Sequence, residues 1–187
     1  MDLDKVIKAR HSARHFSTKK VDWRDIMKAI DLARLAPLAG NIPTLKFLIV
    51  SDEEKIGRLA EASQQEFVAE ARFVVVVCSS FDQLKRSYDS RSDKYAKQQA
   101  GAAIENFILK ITELGLATCW IGAFADNQVK SILQISDNVE VEALFPIGYE
   151  LGKGKQRIKP QLDQCVYFNT WKNKYMEPWK DPSGSKT

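Results

Sequence analysis

The stretch Arg10-His11-Ser12-Ala13-Arg14-His15-Phe16 sets two guanidiniums and a hydroxyl within five residues. Such a set can surround a phosphate, because arginine supplies forked, charge-assisted bonds and serine adds a short one. Each bond of this kind contributes about 1.5–3 kcal/mol, so two or three would dominate recognition of a dianion. A helix C-terminus decorated with cations that favour its dipole would read the same way. A second stretch, Ala36-Pro37-Leu38-Ala39-Gly40-Asn41-Ile42-Pro43, is rich in small residues and prolines. It could approach a flat ligand closely and present backbone amides and carbonyls, or serve only as a helix-to-strand loop. A third, Gly115-Leu116-Ala117-Thr118-Cys119-Trp120-Ile121-Gly122, places a glycine beside a tryptophan, which also suggests close backbone approach. The fourth is Gly148-Tyr149 followed by Lys153, Lys155, Arg157 and Lys159. In an extended chain these cations share one side, which suits a phosphate or a lysine-guarded edge equally. His11 and His15 lack a carboxylate at metal-site spacing, so no metal is expected. No Ser-His-Asp, Cys-His, G-x-G-x-x-G or Walker arrangement is legible.

The elements that must position these stretches follow from periodicity. Leu3 to Arg10 predicts a short helix with Leu3, Val6 and Ile7 on one face. Asp22 reads as an N-cap for a helix turning Trp23, Ile26, Met27, Ile30 and Ala33 inward and ending before Pro37. Leu45 to Val50 and Phe73 to Cys78 predict strands, the second buried on both faces, with an Asp52-capped helix between them. The strongest signal runs from Tyr95 to Leu114, where Ala100, Ala103, Ile104, Phe107, Ile108 and Ile111 form a helical stripe closed by Gly115. A short helix from Asp126 and a strand within Val139 to Leu151 follow, while Trp171, Tyr175 and Trp179 are apolar anchors suited to a partner surface. Few strands without a regular βαβ repeat predict an α+β domain with a sheet packed on a long core helix.

The 187 residues suffice for one core, and 44% hydrophobic with 28% charged residues excludes disordered and fibrous classes. No apolar run approaches the roughly 18 to 20 residues of a membrane helix. Three cysteines, Cys78, Cys119 and Cys165, fit neither a disulfide framework nor a zinc site, so a cytoplasmic protein with free thiols is expected. Net charge is +4 overall, yet residues 1–28 carry +4, residues 151–187 carry +5 and the middle carries −5. Bringing both ends together would build a cationic pocket. No helix shows a Lys/Arg stripe interleaved with aromatics, so a nucleic-acid partner is not expected.

Taken in order, the four stretches resemble the nitroreductase family of FMN-dependent oxidoreductases. That family carries Arg-(Arg/His)-Ser-x-Arg-x-Phe, an Ala-Pro-Ser-Ala-x-Asn-type loop, a long helix leading to Gly-Leu-x-x-x-Trp-x-Gly, and Gly-Tyr before Lys-x-Arg. The resemblance covers roughly residues 3 to 160. It implies an FMN-binding domain over 1–160, a mixed central sheet flanked by helices, an intertwined homodimer, and a 161–187 extension docking on the partner. It further implies that Arg10, His11 and Ser12 hold the phosphate and ribityl chain, and that Arg14 reaches the pyrimidine edge. Pro37, Leu38, Ala39 and Asn41 would come from the other subunit. Ile121 and Gly122 would face the reactive nitrogen, and Lys155 and Arg157 would close on the phosphate.

The implied chemistry is two-electron transfer from NADH or NADPH, through FMN, to an electron-poor acceptor such as a nitroaromatic or quinone, in ping-pong fashion. Two departures stand near the acceptor: Leu38 replaces the usual serine, and Asn41-Ile42 continues as Pro43-Thr44-Leu45 rather than x-Gln-Pro-Trp. They leave open a flavin-binding relative of another kind, reductive dehalogenase-like or flavin-storing. A polyanion-binding module using the basic ends stands outside the resemblance.

Overall fold

The computed structural model describes residues 2–152 and 154–176. Lys153 and Trp179, two residues named above, lie outside the described residues.

The first unit, 1–156, starts with α1 (Leu3–Ala9) and α2 (Trp23–Ala33). Asp22 caps α2 by accepting the Arg24 backbone N–H. Leu45–Val50 (β1) leads through α3 (Glu53–Ser63), capped by Asp52 on the Lys55 N–H, to β2 (Phe73–Ser79). Then come α4 (Asp82–Tyr88), α5 (Ser92–Glu113), β3 (Ala117–Thr118), α6 (Asp126–Leu133) and β4 (Glu140–Gly148). Gly115, at φ +74°, ends α5 in the left-handed conformation that glycine tolerates best.

The strands order as β1-β2-β4-β3. A mixed sheet was expected, but its three described pairings are all antiparallel. The cause lies in the β1–β2 connection: α3 leaves the end of β1 and the 3-10 turn Glu66–Glu70 returns along it, so β2 starts beside the end of β1. Val50 therefore pairs with Val74.

Both faces of β2 are covered, which is why it is a run of valines. Val75 and Val77 pack with Ile26, Ala29 and Ala33 of α2 and with Phe107 and Ile111 of α5. Val74, Val76 and Cys78 pack with Leu59 of α3 and Val129 of α6. In β4 the alternation breaks: Ala143 joins the first layer and Val141 the second. A register shift opposite Val77 and Cys78 skips Glu142 and explains the switch.

On α2 the buried stripe is narrower than predicted. Ile26, Ala29 and Ala33 are buried, whereas Trp23 and Met27 are exposed. Two alanines in the stripe draw α2 close to α5 and leave the larger side chains on its rim. The sequence pattern also missed α4, which offers Leu84 as its one buried residue and so no apolar stripe, and β3, two residues long.

Among the described residues, the second unit, 157–187, holds one helical turn, α7 (Leu162–Cys165), with a reciprocal Gln161–Gln164 cap. The Tyr167 and Trp171 rings meet edge to face at 4.8 Å between centroids. Ile158, Leu162, Trp171 and Tyr175 are exposed.

Candidate functional site

The Arg10–Phe16 stretch runs extended along the end of the sheet, and neighbours hold it on both sides. Ala13 N–H donates to Thr118 O at 3.0 Å, against the β3 segment. On the other side Ser17 N–H donates to Tyr149 O at 2.8 Å, and Leu151 N–H donates to His15 O at 3.0 Å. Phe16 N–H finds Glu70 Oε2 at 3.0 Å. The Phe16 ring is buried over Gly148, where an added Cβ would stand 2.7 Å from it; that close approach requires the glycine.

This anchoring opens a pocket of about 190 Å³ lined by Arg10, His11, Ser12, Glu105, Ile108, Thr118 and Trp120. Arg10 Nε stands 3.8 Å from Glu105 Oε1, an ion pair too long to be a hydrogen bond, so the guanidinium retains donors. Thr118 Oγ1 is buried and makes no hydrogen bond to any described residue. An unmade bond at a buried hydroxyl costs about 1–3 kcal/mol, and a ligand oxygen would relieve it. Burial pushes the Cys119 thiol up, opposed by the Arg14 charge and a hydrogen bond with Ser12. Arg14 is exposed, and among the described residues its guanidinium makes no hydrogen bond or ion pair. A guanidinium, a serine hydroxyl and an orphaned threonine hydroxyl around one small cavity fit an anionic oxygen group such as a phosphate.

His11 departs from the role the resemblance implies. Nδ1–H donates to Ala9 O at 2.8 Å, and Nε2 lies 2.9 Å from both carboxylate oxygens of Glu150. Its ring therefore commits both nitrogens to protein groups. Ile121 and Gly122 also divide. Ile121 exchanges both backbone bonds with Leu144, at 3.1 and 3.0 Å, so its N–H is used; Gly122 is exposed.

The Pro37–Asn41 stretch lies apart, and none of its residues lines the pocket. It is fastened to α5 by the buried Gln99, whose Oε1 accepts Ala39 N–H at 2.8 Å. Gln99 Nε2 donates to Thr44 Oγ1 at 3.1 Å and Ile42 O at 3.4 Å. Lys155 is exposed beside Gln156, and Arg157, also exposed, opens the second unit.

Glu105, Ile108, Gln99 and Glu150 escaped sequence reasoning. The first three sit on α5 among its helical periodicity, where nothing separates a pocket wall from a core or surface position. Glu150 has a partner 139 residues away.

The chain matches the model of the Nitroreductase family over residues 7–68 and 58–149. It is 30% identical over 150 residues to an Archaeoglobus fulgidus protein assigned as a NADH dehydrogenase/NAD(P)H nitroreductase, covering 78% of this chain and 83% of that one. An iodotyrosine deiodinase of Thermotoga neapolitana is 23% identical over 180 residues, covering 88% and 96%. Among solved structures, a nitroreductase family protein of Clostridium novyi superposes with a TM-score of 0.75 at 28% identity, over 92% of this chain and 96% of that one. At the level of fold, an FMN-dependent nitroreductase of Clostridium difficile superposes with a TM-score of 0.75 at 24% identity, over 89% and 98%. These matches show that the chain belongs to the Nitroreductase family.

Proposed function

We propose that the chain is an FMN-dependent oxidoreductase that passes two electrons from NAD(P)H to an electron-poor organic acceptor such as a nitroaromatic or a quinone, in a ping-pong cycle. The observation that carries this reading is the pocket in which Arg10, Ser12 and the orphaned Thr118 hydroxyl converge. Arg10 and Ser12 hold the phosphate, and Thr118 Oγ1 donates to the same region. When bound, FMN supplies a ring that accepts hydride and returns it as electrons. Arg14, exposed two residues past Ser12, would place positive charge beside the pyrimidine edge, a preorganised stabilisation of negative charge. Of the two backbone amides in the Ile121–Gly122 segment, only that of Gly122 remains available to the ring. Lys155, exposed between Gly154 and Gln156, would add a further cation to this surround.

A second copy of the chain completes the site in this reading. Pro37, Leu38, Ala39 and Asn41 stand away from their own pocket and would line the partner's ring. The support is an apolar groove of about 380 Å³ among α1, α2 and α5, lined by Leu3, Val6, Leu32, Leu35 and Leu109. Leu3 and Leu35 are more than 60% exposed, which a homodimer interface would correct.

The first experiment is the absorption spectrum of the purified protein, with the released chromophore identified by mass. Flavin bands with FMN near one per subunit are the expected result, and a colourless protein that refuses added FMN overturns the reading. Arg14→Ala should lower the flavin's reduction potential and slow hydride uptake more than it weakens FMN binding. An unchanged potential removes that role from Arg14.

A second reading, reductive dehalogenation of a halogenated phenol, draws on the deiodinase relative and on the altered Leu38 and Pro43-Thr44-Leu45 positions. Turnover with a nitroaromatic against turnover with an iodophenol under the same reductant separates the two.

A further inference from the structure

The His11 ring sits between two acceptors, the Ala9 carbonyl and the Glu150 carboxylate. Satisfying both requires a proton at each nitrogen, so the pair is an imidazolium beside a carboxylate. Both side chains are only 20% exposed, where a charge-assisted bond is screened little by solvent.

Three further contacts gather at the same place. A Cβ at Gly154 would collide with both His11 Nε2 and Glu150 Oε1, so the chain past Glu150 folds directly over the pair. Gln156 Nε2 then donates to Ile7 O at 3.2 Å and Arg10 O at 3.0 Å, taking carbonyls at the C-terminal end of α1. Among the described residues, the backbone ladder between the two segments pairs Ser17 with Tyr149 and Leu151 with His15. Glu150, Gly154 and Gln156 thus form a clasp over residues 7–11, and His11 is its pin. Arg10 and Ser12, which line the pocket, flank that pin, and Lys155 lies between Gly154 and Gln156.

We propose that His11 is a positioning residue: as an imidazolium pinned to Glu150 and Ala9, it locks the Arg10–Ser12 phosphate cradle to Glu150, Gly154 and Gln156 and makes retention of a phosphate-bearing ligand depend on pH. This rests on the FMN reading above for the identity of the ligand, but the clasp itself does not.

The charged groups facing the ring are Glu150 and Arg10, with Glu105 of α5 across the shared pocket. Burial alone would lower the pKa of His11, and so would Arg10. The Ala9 bond together with the bond and charge of Glu150 outweighs them, and the pKa is raised from 6.5. A group raised in the folded state holds its interaction fully below the unfolded value and loses it as pH rises through the folded one. The clasp is therefore closed in mild acid and loosens toward alkaline pH.

Two readouts test this. The first is the Kd of FMN from pH 6 to 9, by quenching of flavin fluorescence, in the wild type, Glu150→Gln and His11→Arg. The second is the NMR titration of the His11 ring, with hydrogen exchange of residues 150–156, in the absence of ligand. In the wild type, affinity should fall by up to about tenfold per pH unit above the His11 pKa. A phosphate monoester itself titrates near pH 6, so the comparison with Glu150→Gln is what counts. Glu150→Gln should bind FMN on the order of tenfold more weakly at pH 6, with a flatter profile, a lower His11 pKa and faster exchange in 150–156. His11→Arg, a permanent cation, should restore affinity and leave it flat above pH 7.

If FMN binds with the same pH profile in wild type and Glu150→Gln, the clasp is overturned and the FMN reading stands. If no protein binds FMN, the FMN reading fails. The ligand-free titration and exchange then still decide the clasp: an ordinary His11 pKa, unmoved by Glu150→Gln, overturns it.

Discussion

The Arg10–Phe16 segment and the Pro37–Asn41 loop are both motif stretches, yet the protein holds them differently. Backbone bonds fasten the first from the β3 side at Ala13 and from the β4 side at Ser17 and His15. Its side chains meet a pocket built wholly from their own unit. One residue of α5, Gln99, secures the second, and Tyr88 caps it at Gly40. Pro37 and Asn41 are exposed, and Gly40 and Asn41 both adopt positive φ. A segment held on two sides is preorganised for a ligand by its own chain. A loop held on one side has its shape fixed while Pro37 and Asn41 stay exposed. In the proposed homodimer, the comparison separates what one subunit would do alone from what would need a second.

Gln99→Ala breaks the loop side of the comparison with the largest effect. The substitution removes the acceptor of Ala39 N–H and the donor to Thr44 Oγ1 and Ile42 O, with Thr44 buried. Leaving these three groups without that partner, one of them buried, should cost about 2–4 kcal/mol. In a chain of this size that lowers Tm by roughly 5–15 °C in differential scanning calorimetry. FMN content per folded subunit should fall only if the loop of a second copy touches the ring. A variant with unchanged Tm means Gln99 does not hold the loop.

Arg10→Ala tests the other side. Among the described residues the guanidinium makes one long ion pair, to Glu105, so its loss should change the ligand-free Tm little. Loss of one charge-assisted bond to phosphate should weaken FMN by about 1.5–3 kcal/mol, roughly ten- to a hundredfold in Kd. If affinity is retained, Arg10 does not touch the phosphate.

The same contrast explains what could be read from sequence. Helices with a sustained stripe were legible, and α5 emerged from Ala100, Ala103, Ile104, Phe107, Ile108 and Ile111, all buried. The cation and hydroxyl pattern of Arg10, Ser12 and Arg14 was legible because it is local. Three things were not. Trp23 and Met27 were assigned inward because hydrophobicity does not report how closely two helices approach, which Ala29 and Ala33 decide. The sheet's antiparallel pairing depends on where α3 returns the chain, a tertiary matter. His11 was grouped with Arg10 and Ser12 because the partner that claims its ring, Glu150, is distant in sequence and belongs to no motif.

Thr118→Val has the smallest expected effect and sharpens the comparison most. A valine keeps the β-branched shape and removes only the hydroxyl, whose oxygen is buried without a partner. Without ligand, the substitution should stabilise the protein by about 1 kcal/mol, since an unsatisfied buried hydroxyl is replaced by a methyl. With ligand the sign should reverse, because the hydroxyl that was a liability becomes a donor or acceptor to a ligand oxygen, and FMN should bind several-fold more weakly. Measuring both Tm and Kd separates the explanations. A gain in Tm with weaker binding identifies Thr118 as part of a cavity whose polar lining is held ready for a ligand. A loss in Tm without ligand shows that the hydroxyl was already satisfied within the folded chain. A gain in Tm with unchanged binding leaves the orphaned hydroxyl as a local packing defect, and assigns the phosphate to Arg10 and Ser12 alone.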